Sequence, residues 1–326
     1  MLHSVSWCWA FDLEPEACSL EPLRRALLKL GGCCDSDCVF CHAGGPGATG
    51  ELSTKEVCRR ILAARSAGCQ QVVFSGGEPT VRSDLLVLAR FARRAGLGLG
   101  LVSNGARLAD PELRRALLDE GLTYVQISVH GPDATVHDTL SGVPSFDPAI
   151  RSVRAFAGTG IDLGVTTVVC CPNMDVLDET VALVAGLLDR PGGAPRPRHR
   201  IAILEPKGRA ADRVDLVPRL PEAATRVARA IASGRERYGH RIEHGFDGLP
   251  PCLAPGPGVP LANLRSHGII FVQEVGDVSL QPADNGRRAY GEPCRRCRLR
   301  GDCPGIYEGY FTYTFMFGVD WLRAVE

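Results

Sequence analysis

The feature that most constrains this chain is a repeated alternation of short β-rich runs and helical stretches. ALLKLGG (26–32), QQVVFSGG (70–77), LGLGLVSNG (97–105), TYVQISVHG (123–131), DLGVTTVVC (162–170) and RIAILEP (200–206) read as six strands. Between them, 54–68, 83–96 and 111–121 read as helices ending at glycine, the third with a proline at its start, and two more helices fall near 147–158 and 175–188. Alternating βα units imply a parallel sheet with crossover helices. The expected fold is α/β, a partial (β/α)6 barrel of TIM-like build over 26–210. Polar groups recur just after the strands: Cys34–Cys41, Gly76–Glu78, Ser103–Asn104, Ser128–His130, Asn173 and Glu205. In parallel α/β architectures that edge is where ligands bind.

The remaining segments differ in character. Residues 1–25 form an N-terminal extension, RPGGAPRPRHR (190–200) reads as a mobile loop, and 211–244 contain a connecting helix over 221–239. From 245 to 326 the chain reads as a small second domain: a Pro/Gly-rich stretch (245–260), a β-hairpin with a Gly-Asp turn (268–282), then cysteines. A length of 326 residues suits one large domain and a small one. Lys+Arg and Asp+Glu both number 37, so net charge argues neither for nor against a polyanionic partner, and no surface pattern indicates nucleic acid. No apolar run reaches membrane-spanning length, and the first residues lack the layout of a secretory signal. Fourteen cysteines without an export signal argue for metal or catalytic thiols in a reducing compartment, so the expected location is the cytoplasm.

In GGCCDSDCVFCHAGG, Cys34, Cys38 and Cys41 have the spacing C-x3-C-x2-C. That spacing is too tight for a closed tetrahedral zinc site. Three thiolates hold three irons of a 4Fe-4S cube and leave the fourth open to a ligand that is not protein. Cys33 is a bystander. A second group, Cys294, Cys297 and Cys303, has the spacing C-x2-C-x5-C, with Cys252 upstream as a fourth donor. Four thiolates can close a site around zinc or around an iron–sulfur cluster. Arginines 287, 288, 295, 296, 298 and 300 surround it, as a solvated face compensating thiolate charge or as a docking surface for an anionic substrate.

The C-x3-C-x2-C run with Phe40 before its last cysteine, followed one βα unit later by Gly76-Gly77-Glu78-Pro79, resembles the radical S-adenosylmethionine (radical SAM) superfamily over about 26–210. The C-terminal cysteines resemble the SPASM/Twitch class of auxiliary-cluster extensions. Cysteines expected near Gln281 and at Tyr307 are missing, so 245–326 looks like a reduced, Twitch-like version with one cluster. The resemblance implies that Cys34, Cys38 and Cys41 hold a 4Fe-4S cluster whose open iron binds S-adenosylmethionine, and that Cys252, Cys294, Cys297 and Cys303 hold an auxiliary iron–sulfur cluster. It implies cofactor contacts from Phe40 and Leu204 beside the adenine, Gly76, Gly77 and Glu78 at the methionine end, Ser103, Asn104 and Ser128 facing carboxylate and ribose, and Asn173 as the polar residue often found after the fifth strand. Related enzymes often carry an arginine after the fourth strand. HGPDATVHDTLSGVP has none, which leaves Ser128, His130, a distant arginine or backbone groups for that role.

The function so implied is reductive cleavage of S-adenosylmethionine to a 5′-deoxyadenosyl radical that abstracts hydrogen from a peptide, with a flavodoxin- or ferredoxin-type electron donor. The alternatives are the same chemistry on a small metabolite or cofactor precursor, and a non-catalytic module holding zinc at both cysteine groups. No residue is singled out as catalytic.

Overall fold

A computed structural model describes residues 23–43, 50–190, 195–254, 256, 258–263, 265–283, 288–301, 303–312 and 322. The expectations for residues 1–22, for 191–194 of the loop and for Arg287 lie outside the described residues. The six expected strands form as β1 (Arg25–Lys29), β2 (Gln71–Ser75), β3 (Gly98–Ser103), β4 (Leu122–Ser128), β5 (Asp162–Val169) and β6 (Arg198–Ile203). Three more join the same sheet: β7 (Glu243–Asp247), β8 (Ile269–Gln273) and β9 (Gln281–Pro282), in the order β7-β6-β5-β4-β3-β2-β1-β8-β9. Every neighbouring pair is parallel except β8 and β9. The sheet curls into an open α/β barrel, as the sequence implies, extended by one parallel strand on each side.

Side chains alternate along the strands with the period-2 pleat. Leu28, Phe74, Leu99, Leu101, Val125 and Ile127 point outward and are fully buried under α1 (Thr54–Ser66), α2 (Leu85–Arg94), α3 (Pro111–Asp119), α5 (Phe146–Phe156) and α6 (Leu177–Leu188). Their neighbours Leu27, Lys29, Ser75, Val102, Gln126, Ser128 and Thr166 point into the barrel. Both faces are covered, so β1 to β5 read as largely apolar runs, while Lys29, Ser75, Gln126, Ser128 and Thr166 bring polar groups to the inner face toward the C-terminal ends. At the opposite end Asp162 binds Arg25 at 2.6 Å and Arg198 at 2.5 Å, and Arg25 lies 4.3 Å over the buried Tyr124 ring. This ionic plug closes the floor.

Helices α1 and α3 start where short polar caps satisfy free backbone N–H groups. Ser53 accepts from Glu56 N, and Asp110 from Glu112 N ahead of Pro111. The sequence reading passed over α4 (Ala134–Ser141), although Asp133 caps its start and Gly142, at φ 73°, ends it. It ended the connecting segment at 244, and the structure places α7 (Leu220–Tyr238) and then β7 there. The expected hairpin forms between β8 and β9, but Gly276 and Asp277 sit inside a longer loop over 274–280 rather than in a two-residue turn. The other edge of β8 pairs with β1. A two-stranded ladder, β10 (Arg288–Ala289) with β11 (Ile306–Tyr307), frames the C-terminal cysteines. Among the described residues no helix is long and apolar enough to cross a membrane.

Candidate functional site

The first cysteine loop is fastened on three sides. Asp37 N donates to Ser141 O at 2.9 Å and Val39 N to Leu140 O at 3.0 Å, so the loop uses carbonyls at the end of α4. Gly77 N donates to Gly31 O and Glu78 N to Cys33 O, each at 2.7 Å. A Cβ on Gly77 would lie 2.0 Å from Cys33 O and one on Gly76, at φ 127°, 2.6 Å from Gly31 O. The two glycines are required because the cysteine loop itself crosses over them. On the third side Arg209 N donates to Cys41 O at 3.0 Å, and the Arg209 guanidinium pairs with Asp37. Arg209, from the loop after β6, is one arginine brought to this loop. The sequence reading missed it because it is 168 positions from Cys41 in the chain.

Glu78 is 2% exposed and fully engaged. Its Oε1 accepts from Thr80 N (3.0 Å), Thr80 Oγ1 (2.7 Å) and Ser103 Oγ (2.9 Å), and its Oε2 from Asn104 N (2.7 Å). Burial pushes its pKa up, and those donors pull it down. Asn104 Nδ2 then donates to Asp35 Oδ1 at 2.7 Å and Ser36 Oγ at 2.8 Å. In this arrangement Glu78 and Ser103 lock the end of β2 to the end of β3, and Asn104 passes that lock on to the cysteine loop.

His130 is equally internal. Its Nδ1 accepts from Val168 N at 3.2 Å, its ring meets the Phe40 edge at 4.9 Å, and burial lowers its pKa to about 3. A neutral imidazole offers no positive charge to a carboxylate near pH 7. Asn173 Nδ2 donates to His130 O and Val168 O, both at 2.8 Å, and its Oδ1 accepts from Cys170 N at 2.9 Å. Phe40 and Leu204 pack in one apolar cluster and anchor the cysteine loop to the core. Of the ten expected cofactor contacts, Gly76 and Ser128 line the barrel cavity.

That cavity opens to solvent at the C-terminal ends of the strands and spans about 1150 Å³, its mouth included. His42, next to Cys41, forms part of its wall, as do Lys29, Arg200, Glu205, Lys207, Asp247, Glu274 and Tyr307. Lys29 pairs with Glu274 at 2.6 Å and Arg200 with Asp247 at 2.6 Å. Most of these charges escaped the sequence reading. Lys29 and Arg200 lie within strands and face inward only by the pleat, while Asp247 and Glu274 belong to the two added strand ends.

The chain brings each cysteine group together. Cys38 is pushed up to about 12 by burial and by the neighbouring charges of Cys41 and Cys34. Cys34 is raised by burial, with Cys41 adding to it. Thiolates that oppose one another's ionisation need a cationic centre to be deprotonated together. Among the described residues no three His, Cys, Asp or Glu side chains meet closely enough for a single ion. Tetrahedral zinc at about 2.3 Å per sulfur demands tight convergence. The donor set itself, three cysteine thiols on one short loop, is of the kind that holds an iron–sulfur cube. Cys252, Cys294, Cys297 and Cys303 line a second cavity of about 400 Å³ with Tyr290 and Leu322. Burial raises Cys252, and Cys303, Cys294 and Cys297 each add to it, so all four thiols share that space. Arg295, Arg296, Arg298 and Arg300 are exposed around them, Arg300 lying 3.2 Å over the Tyr290 ring.

Residues 28–184 match the radical SAM superfamily. The mycofactocin maturase MftC of Mycolicibacterium smegmatis is 36% identical over 258 residues, 76% of this chain and 62% of its own length. The AdoMet-dependent heme synthase of Methanosarcina barkeri is 28% identical over 198 residues, 60% of this chain and 54% of that protein. This chain thus spans less than two thirds of the length of these relatives. Among solved structures, Streptococcus suis SuiB bound to S-adenosylmethionine superposes with a TM-score of 0.61 at 15% identity, covering 89% of this chain and 74% of SuiB. SuiB bound to precursor peptide SuiA superposes at 0.54 with 18% identity, covering 70% of this chain and 49% of SuiB.

Proposed function

This chain belongs to the radical SAM superfamily through residues 28–184, and from that membership we propose that it cleaves S-adenosylmethionine reductively and abstracts hydrogen from a peptide. The observation that carries the reading is the placement of three mutually interacting thiols beside a polar cavity at the C-terminal edge of the barrel. Cys34, Cys38 and Cys41 would hold a 4Fe-4S cluster, which with bound S-adenosylmethionine would supply one-electron cleavage to methionine and a 5′-deoxyadenosyl radical. The protein's part is positional. Gly76 and Gly77 let the cysteine loop lie flat on the end of β2, and Glu78, Ser103 and Asn104 hold that junction by direct hydrogen bonds. The apolar seat of Phe40 and Leu204 keeps the loop on the core. The floor plug of Arg25, Asp162 and Arg198 shuts the far end, so a radical in the cavity is shielded from that side.

Support for a peptide substrate comes from the similarity to a maturase and from the structural likeness to a protein bound to a precursor peptide. Similarity to the heme synthase favours a small-molecule substrate as the competing reading. The four C-terminal thiols suit an auxiliary iron–sulfur cluster. A flavodoxin- or ferredoxin-type donor would deliver the electron, and a reducing cytoplasm suits the free thiols of every described cysteine. The test is anaerobic turnover with dithionite and a short peptide encoded beside this gene. Formation of 5′-deoxyadenosine with a mass change in the peptide supports the proposal. Cofactor cleavage coupled only to a small metabolite would move the reading to its competitor.

A further inference from the structure

Most charges in the barrel cavity neutralise one another. Lys29 is taken by Glu274, and Asp247 is held by both Arg200 (2.6 Å) and Arg288 (3.2 Å). Lys207, two positions after Glu205, has no ion pair among the described residues, and two further groups stand apart. Glu205, just after β6, engages its backbone carbonyl with Lys207 N at 2.8 Å, but its carboxylate makes no hydrogen bond or ion pair among the described residues. The Tyr307 hydroxyl, on β11, likewise has no hydrogen-bond partner among them. The Tyr307 ring is pinned, because the Arg288 guanidinium lies 3.7 Å over it. Both residues line the same cavity and lie close enough that the Glu205 charge raises the Tyr307 phenol. One is an acceptor without a donor, and the other a donor without an acceptor.

We propose that Glu205 and Tyr307 are the substrate-recognition pair of this cavity and take an uncharged amide, its N–H donating to the Glu205 carboxylate and its carbonyl accepting from the Tyr307 hydroxyl. The placement of substrate in the barrel rests on the function proposed above. The charges around Glu205 select this class of ligand. Lys29, Lys207 and Arg288 face it, with Asp247 opposing them, so a cationic group meets a predominantly positive wall. An anion meets Glu205 itself. A neutral group with one donor and one acceptor satisfies both partners, and a peptide bond is such a group. Tyr307 also occupies the position where the resemblance to a longer extension leads one to expect a cysteine, so a group that would have held metal is replaced by one that faces the cavity.

The test uses the anaerobic, iron-loaded protein with S-adenosylmethionine and three probes: N-acetylalanine methylamide, its fully N-methylated analogue without N–H groups, and the cationic alanine methylamide. Binding is read by saturation-transfer NMR. The diamide should bind about tenfold more tightly than either comparison probe. Glu205→Met and Tyr307→Phe should each weaken it about tenfold, and Glu205→Gln, which keeps one acceptor oxygen, should retain most of the affinity. Equal binding of the three probes, undiminished diamide binding in Glu205→Met and Tyr307→Phe, or no diamide binding by the wild-type protein would overturn the proposal. Iron content and 5′-deoxyadenosine formation, measured on the same wild-type preparation, report separately on the underlying function. Probe insensitivity in a protein that cleaves the cofactor defeats the recognition pair alone.

Discussion

Glu78→Gln is the most informative single change in the site's scaffold. The carboxylate accepts three hydrogen bonds at Oε1 and one at Oε2. A glutamine in the same pose keeps an oxygen for the three donors and turns its NH2 toward Asn104 N, donor against donor. The orphaned N–H costs about 1–3 kcal/mol, and the three remaining bonds lose their ionic assistance, about 1 kcal/mol each. The neutral side chain is cheaper to bury, which offsets part of this, so the net loss should be about 2–3 kcal/mol. Thr80→Val, which removes one hydroxyl bond, should lose about 1 kcal/mol. Urea unfolding of the anaerobic proteins, followed by circular dichroism, gives both values. Because Asn104 ties Asp35 and Ser36, iron retention should fall along with stability in Glu78→Gln. A Glu78→Gln variant within about 0.5 kcal/mol of wild type, below the smallest of these terms, and with full iron would refute the claim that Glu78 acts as the lock of this junction.

Other changes probe the remaining parts. Gly77→Ala puts a methyl group 2.0 Å from Cys33 O and should leave a folded barrel with strongly reduced iron at the first site; normal iron content would contradict the crossing of the two loops. Asp162→Asn leaves Arg25 and Arg198 without their shared carboxylate and should cost about 3 kcal/mol in the same urea assay, and a loss under about 1 kcal/mol would argue against the plug. His130 is held neutral with a pKa near 3, below its unfolded value, so its contribution is complete above about pH 6.5 and is lost as pH falls toward 3. Between pH 7 and 5 it should cost on the order of 2 kcal/mol, and His130→Gln should show a shallower pH dependence; an unchanged slope would remove His130 from the explanation.

The barrel was legible because its outer face is written in a regular apolar code with glycine stops. The added strands were not. β7 carries Glu243, His244 and Gly245, residues that few strands favour, and β8 reads as half of a hairpin until its second edge meets β1. The two cysteine groups were legible by spacing; Cys252, 42 positions before Cys294, has no spacing signal and is brought to the second group by the fold. The roles of the strand-end polar residues were not. A sequence shows that Glu78, Ser103, His130 and Asn173 end their strands, but not that each is engaged by internal partners. Conversely, Glu205 was visible as a strand-end acid, whereas its lack of a partner emerges only once Lys29, Arg200 and Asp247 have found theirs.

The central claim is that three thiolates hold an open-iron cluster that activates S-adenosylmethionine. The direct measurement is 5′-deoxyadenosine formed after dithionite reduction of the anaerobically purified protein, with iron and sulfide counted on the same sample. The account predicts a brown protein with about eight irons per chain and cofactor cleavage that vanishes when Cys34, Cys38 and Cys41 are all replaced by Ala. A colourless protein carrying zinc, or 5′-deoxyadenosine persisting in the triple variant, would contradict it.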